Sequence, residues 1–285
     1  MELPPEVHAL IRLALQEDVG PGDVTAHYFV PADARARAVV VAKEAGVLAG
    51  VALAEAVFRA VDPAVALVAG RADGDRLAVG DVVLELEGSA RSILTGERTA
   101  LNFLQRLSGI ATQTAAYVQA VAGSGATILD TRKTTPGWRW LEKAAVRAGG
   151  GTNHRMGLYD MAMVKDNHLP KAGGRVGLQA GIDALQAAQP DIKVELEADT
   201  VDQLREFLTL RGVSFILLDN MSLEAMRQCV ALARGSGVKL EASGGITLAR
   251  LPEIAATGVD FISSGALTHS VRALDLSLDF RGADF

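Results

Sequence analysis

The sequence predicts an α/β fold in which a parallel sheet closes into a barrel, preceded by a smaller α+β layer. Three observations carry that reading. From about residue 110 onward, six short apolar runs alternate with amphipathic segments, every run ends in polar or glycine-rich residues, and the first 108 residues follow a different rhythm. Runs this apolar, separated by helical patterns, belong to strands covered on both faces, which is the situation of a parallel sheet. Six such units favour a closed barrel over an open doubly wound sheet.

In chain order, PEVHALIRLALQED has apolar residues at helical spacing and predicts a helix, and GPGDVT predicts a turn. RARAVVVAKEAGVLAG, AVALVAG and DVVLELEGSARSIL then predict strands and hairpins around a helix near residues 51 to 60. GERTALNFLQRLSGIATQTAAYVQAVAG predicts a long helix leading into the barrel, with Arg98 at its start. By composition alone Arg98 is a solvated helix-terminal residue. The barrel strands are ATILD (126 to 130), DMAMVK (160 to 165), IKVELE (192 to 197), SFILLD (214 to 219), VKLEAS (238 to 243) and VDFISS (259 to 264). Between them lie WRWLEKAAVRAG, VGLQAGIDALQAAQ, VDQLREFLTL and LEAMRQCVALARG, with apolar residues three and four apart.

The chain has 285 residues, 49% hydrophobic and 22% charged, enough for one large or two modest globular domains. No stretch has the apolar length of a membrane span, and MELPPEVHAL lacks the basic and apolar regions of a signal peptide, so a cytoplasmic protein is expected. Cys229 falls in a helical pattern and reads as a packing thiol, and the spacing of the five histidines builds no metal cage. Trp138 and Trp140 likewise read as packing residues.

Against a formal net charge of -6, residues 130 to 168 gather seven Lys/Arg and two His around Gly- and Thr-rich turns. A local cationic cluster on an acidic chain suits a small polyanion rather than nucleic acid. The strand ends agree: Thr131-Arg132-Lys133-Thr134, Lys165-Asp166-Asn167-His168, Glu197, Asp219-Asn220, Ser243-Gly244-Gly245 and Ser264-Gly265. In a barrel these ends share one face, where active sites are built. ASGGIT and SSGALTHS put Ser and Gly between strand and helix, where backbone N–H groups approach a phosphate without a Cβ in the way.

TRKTTPGWR, GGTNHRMGLYDMAMVKDNH, VELEADT, ILLDNMS, EASGGI and SSGALTHS, with the earlier EDVGPGDVT, KEAGVLAG and GERTALNFLQRLSGIA, closely resemble the quinolinate phosphoribosyltransferase family over nearly the whole chain. The resemblance implies an N-terminal α+β sandwich-like domain over residues 1–108 and an incomplete (β/α) barrel of six to seven parallel strands over 109–270. A tail from about 271 to 285 would return to the first domain. It implies transfer of the phosphoribosyl group of 5-phosphoribosyl 1-pyrophosphate to quinolinate, giving nicotinate mononucleotide, pyrophosphate and carbon dioxide in NAD biosynthesis. Mg²⁺ would enter with the pyrophosphate substrate. A homodimer, or a larger dimer-based oligomer, would share its active sites between subunits, with no membrane or nucleic-acid partner.

By the same resemblance Arg132, Lys133, His154, Arg155 and Lys165 line the quinolinate and pyrophosphate sites, and Arg98 becomes a cation supplied to the partner's site. Arg suits bidentate carboxylate recognition, Lys a point charge on phosphate or a developing carbanion. Lys133, Glu197 and Asp219 are the catalytic candidates. The two acids resemble the pair that faces the ribose and its metal, with Glu195 a secondary candidate on the same strand face. Ser243, Gly244 and Gly265 would cradle the 5-phosphate; His168 is left out. Two other readings stand: a paralogue of the same architecture acting on another substrate, and a non-catalytic anion sensor, which turnover would separate. ILLDNMS has one acid, not the two adjacent acids of the ordinary phosphoribosyltransferase signature.

Overall fold

The structure, a computed structural model, describes residues 3–165, 168 and 173–282. In chain order its elements begin with α1 (Pro5–Val19), α2 (Val24–Phe29), β1 (Arg35–Ala42), β2 (Gly46–Val47), α3 (Val51–Val61), β3 (Ala66–Ala69), β4 (Arg76–Leu77) and β5 (Val82–Ser89). Next come α4 (Ala90–Ala120), β6 (Thr127–Leu129), α5 (Arg139–Ala148), β7 (Met161–Val164), α6 (Gly174–Ala188), β8 (Lys193–Ala198) and α7 (Val201–Phe207). The chain finishes with β9 (Phe215–Asp219), α8 (Leu223–Ala233), β10 (Lys239–Ser243), α9 (Leu251–Ala255), β11 (Phe261–Ser263), α10 (Ala266–His269) and β12 (Leu276–Arg281). They form two compact units: Met1–Ala115 with Thr135–Gly150 and Val271–Phe285, and Ala116–Thr134 with Gly151–Ser270.

The first unit is built on a four-stranded antiparallel sheet in the order β12-β1-β5-β3. β12, the last strand of the chain, closes the open edge of β1 from Arg37↔Arg281 to Ala42↔Leu276. Two side chains of α4 hold that return: Gln105 Nε2 donates to Leu276 O (2.8 Å) and Arg106 Nη1 to Val271 O (3.1 Å). Gly109 lets the two backbones meet, since a Cβ there would lie 2.2 Å from Arg272 O. Two elements differ from the sequence reading. ARSIL is not strand: β5 ends at Ser89, α4 starts at Ala90, and Arg98 lies two turns inside the helix rather than at its start. The GPGDVT turn runs into α2, capped by Asp23, whose Oδ1 accepts from Ala26 N–H at 2.9 Å. Six helical residues are too few to show a period.

The second unit is a six-stranded parallel sheet in the order β6-β11-β10-β9-β8-β7. All six strands coincide with the apolar runs to within two residues at either end. Strands consecutive in the chain are neighbours except β6 and β7, so the order is that of a barrel opened at one seam. An isolated parallel bridge, Leu129↔Thr152, borders β6 there. Val194, Leu196, Ile216, Leu218, Leu240, Ala242 and Ile262 are buried on one face of the sheet and Glu195, Leu217, Glu241 and Ser263 on the other, so the strands are covered on both faces. The helix after each strand starts on its own cap where the sequence has one; Thr200 and Gln203 form a capping box on α7 and Ser222 caps α8. The boundary drawn at 108/109 falls within α4, and α5 groups with the first unit.

Candidate active site

A cavity of about 450 Å³ opens at the carboxyl ends of the barrel strands, a size suited to a small substrate. Its walls follow the two-residue period of the strands: Met163 and Lys165, Leu217 and Asp219, Glu241 and Ser243 are alternate residues of β7, β9 and β10 or the positions just beyond them. The loop after β6 adds Thr131, Arg132 and Lys133, and the loop leading to β7 adds His154 and Arg155.

The cations are held by backbone. Asp130, fully buried at the end of β6, accepts from His154 N–H (2.8 Å) and Asn153 Nδ2 (2.6 Å), pinning the NHR loop beside the TRK loop. Thr268 Oγ1 donates to Lys133 O (2.7 Å), and Lys133 N–H donates to Thr131 Oγ1 (3.0 Å). The stem of Lys133 crosses Gly265, where a Cβ would come within 2.7 Å of Lys133 Cδ. Arg155 Nη1 donates to Met161 O at 3.1 Å. Burial, with Arg132 beside it, holds the Arg155 pKa below the usual guanidinium value, the signature of like charges gathered for an anion.

Glu197 is already engaged, its Oε2 accepting from Lys165 Nζ at 2.9 Å. Asp219 is steadied by Asn220, whose Nδ2 donates to Asp219 Oδ2 at 2.8 Å. Asn220 has φ +51°, the only non-glycine residue in the left-handed region among the described residues. Opposite it run Gly244 (φ +84°) and Gly245 (φ +58°), a turn only glycine adopts without strain. Arg250 Nη1 holds the turn through Gly245 O at 2.9 Å.

Below this rim, His154 Nε2 lies 3.2 Å from both Glu195 Oε2 and Glu241 Oε2. The two carboxylates are 0% and 2% exposed. In either charge state a proton on Nε2 faces the acids; Nδ1 accepts from Arg155 N–H at 2.8 Å while the ring is neutral. Burial works against a charged imidazole, but hydrogen bonds to Glu195 and Glu241 outweigh it and raise the pKa to about 10. Burial, with Glu241 adding and His154 opposing, pushes Glu195 up to about 7. The three groups are close enough to hold a metal ion, yet a protonated Nε2 has no lone pair to offer one.

Of the residues named from the sequence, Arg132, Lys133, His154, Arg155, Lys165, Glu197, Asp219, Ser243, Gly244 and Gly265 all line this cavity. His154 does so with both ring nitrogens turned to the protein. Glu195 is buried and outside the lining. Arg98 belongs to the first unit, on α4, its side chain 60% exposed and 3.8 Å from Glu97. Asp166 and Asn167 lie outside the described residues. His168 closes the turn after β7, its Nδ1 accepting from Lys165 N–H at 2.9 Å. Trp138 packs on Phe103 with ring centroids 4.9 Å apart, and Cys229 is buried with its thiol pKa pushed up to about 11 by burial. Sequence reasoning missed Glu241 and His269, both in the lining. Each carried a signal: Glu241 precedes Ser243 by two strand positions, and His269 follows Gly265 by one helical turn.

Among the described residues no helix is long and apolar enough to cross a membrane. Residues 23–108 match the family described as quinolinate phosphoribosyl transferase, N-terminal domain, and residues 110–279 match its C-terminal domain. A probable nicotinate-nucleotide pyrophosphorylase [carboxylating] of Bacillus subtilis is 46% identical over 274 residues, covering 96% of this chain and 93% of that protein. A chloroplastic nicotinate-nucleotide pyrophosphorylase [carboxylating] of Arabidopsis thaliana is 44% identical over 289 residues, covering 96% and 82%. The crystal structure of NadC from Streptococcus pyogenes superposes with a TM-score of 0.91 at 42% identity, covering 99% of this chain and 100% of that one. With these strand ends, and with the two domain families together matching almost its whole length, the chain belongs to the quinolinate phosphoribosyltransferase family.

Proposed function

We infer that this chain transfers the phosphoribosyl group of 5-phosphoribosyl 1-pyrophosphate to quinolinate, releasing pyrophosphate and carbon dioxide and forming nicotinate mononucleotide for NAD biosynthesis. The observation that carries the reading is the meeting, in one cavity, of Arg132, Lys133, Arg155 and Lys165 with Asp219 and the Gly244-Gly245 turn. Such a site takes two polyanions at once, and fixed cations in a partly dry pocket stabilise charge that shifts during reaction.

Each group has a task. Arg132 and Arg155 offer planar donors to the carboxylates of quinolinate, and Lys133 offers a point charge where electrons gather as the ring loses its carboxylate. Ser243, Gly244 and Gly265 present backbone donors to the 5-phosphate. Glu197, neutralised by Lys165, accepts from ribose hydroxyls, and Asp219 stabilises positive charge on the ribose as pyrophosphate departs. Mg²⁺ travels with the diphosphate as part of that substrate; the hard oxygen of Asp219 suits it as an outer contact. We further propose a cytoplasmic homodimer in which Arg98, exposed on α4, completes the partner's site. Purified protein given 5-phosphoribosyl 1-pyrophosphate and Mg²⁺ is expected to form nicotinate mononucleotide from quinolinate and not from nicotinate, read by chromatography. Turnover of nicotinate, or of neither acid, contradicts the assignment.

A further inference from the structure

Removing the quinolinate carboxylate leaves an electron pair on C2 of the pyridine ring, and that carbon must receive a proton. The cations of the rim are committed to anions, and Lys165 is paired with Glu197. Under the rim sits a group that the binding roles do not use. Glu195 and Glu241 bring two carboxylate oxygens to within 3.2 Å of one imidazole nitrogen. Both carboxylate oxygens of Glu195 and the Oε1 of Glu241 are buried with no hydrogen-bond partner among the described residues. Two bare carboxylates so placed are costly, and doubly so beneath a site for a dianion. A shared proton removes that cost. The charged neighbours offset only part of it: His154, its pKa raised to about 10, matches one of the two acids and Arg155 attracts Glu195 from the cavity side, while Asp130 is itself an acid bonded to the NHR loop and Lys165 is held by Glu197.

We propose that Glu195, Glu241 and His154 form a sequestered proton store that protonates C2 of the pyridine ring as its carboxylate leaves. Glu241, the acid that reaches the cavity lining, is the donor. The C2–carboxylate bond breaks and its electron pair stays on C2 while carbon dioxide departs. The O–H bond of the Glu241 carboxyl then breaks, leaving its pair on oxygen, and the C2–H bond forms. Glu195 and His154 pass a proton back to Glu241, and water refills the cluster after the product leaves. Glu195, raised to about 7, must hold its proton for this, so turnover falls as pH rises through that value.

The store has this use only if the cavity decarboxylates quinolinate, so wild-type turnover is the control that separates failure of that reading from failure of the store. Glu195→Gln and Glu241→Gln keep the side-chain shape without the acid. Each is expected to lower kcat at least tenfold with the KM for quinolinate within threefold, and Glu195→Gln to abolish the alkaline fall of kcat near pH 7. Active variants with kcat within twofold of wild type and the same pH limb overturn the store, as does a rise in KM alone, which marks the acids as mere supports of His154. Should the variants not fold, wild-type enzyme answers. Equilibrated in D₂O and mixed into excess H₂O with saturating substrates, it is expected to place deuterium on C2 of the first-turnover nucleotide above the level of the mixed solvent, read by mass spectrometry. Deuterium at the solvent level overturns the store.

Discussion

Lys133→Ala is expected to lower kcat by about a hundredfold to a thousandfold, the range that follows loss of one fixed charge-stabilising group. The loop should stay in place, because what holds it is backbone: Thr268 binds Lys133 O and Thr131 binds Lys133 N–H, neither through the lost ammonium. A melting temperature near that of wild type, beside the kinetic loss, is therefore the expected pair of results. Lys133→Arg should not restore the rate. The lysine stem passes tightly over Gly265, with His269 on the same turn, and a planar guanidinium neither fits that passage nor supplies a compact charge. The same variant tests the shared site. Arg98→Ala and Lys133→Ala homodimers should both be nearly inactive, whereas a purified heterodimer should regain close to half of wild-type activity, because one of its two sites receives neither lesion. A heterodimer as inactive as its parents would place Arg98 in its own subunit or outside the reaction.

The second large effect is expected from Gly244→Ala. Its φ of +84° strains any L side chain by about 1–2 kcal/mol, and the added Cβ would meet Asn220 Oδ1 at 2.2 Å. Asn220 has little room to give, since its N–H donates to Ser243 O and its side chain steadies Asp219. Both the phosphate cradle and the acid then shift, and the KM for 5-phosphoribosyl 1-pyrophosphate should rise by at least about tenfold, roughly 1.4 kcal/mol of binding. Gly235→Ala is the matched control. Gly235 has a similar φ of +82° with nothing within 4 Å of its Cβ, so it should lose a similar fraction of stability and leave the KM alone. Equal KM shifts in the two variants would show that global strain, not the cradle, governs binding.

The barrel was legible in the sequence because a strand covered on both faces has to be apolar throughout, and a strand end at an active face cannot be. SFILLD followed by Asn220, or VKLEAS followed by two glycines, shows both conditions within eight residues. Elements without such a contrast escaped. α2 is too short for a period, and the first turns of α4 read as strand because ARSIL is apolar enough for either. The site was legible where charge stood at a strand end and illegible one layer deeper. Glu195 and Glu241 lie within strands where every neighbour is apolar, and nothing local shows that two acids on β8 and β10 converge on one histidine. That convergence depends on how strands are ordered around the barrel, which is a property of topology and not of any segment. His154 shows the same limit: its motif put it in the cavity, but only geometry shows Nδ1 taken by Arg155 N–H and Nε2 by the acids.

One cavity is expected to join two polyanions and then expel a carboxylate. Quinolinate labelled with ¹³C in the 2-carboxylate tests it most directly. With 5-phosphoribosyl 1-pyrophosphate and Mg²⁺, labelled carbon dioxide, pyrophosphate and nicotinate mononucleotide should appear in equal amounts and at equal rates, with none of the three formed when either substrate is left out. A nucleotide that keeps the label, or pyrophosphate released without carbon dioxide, would contradict it.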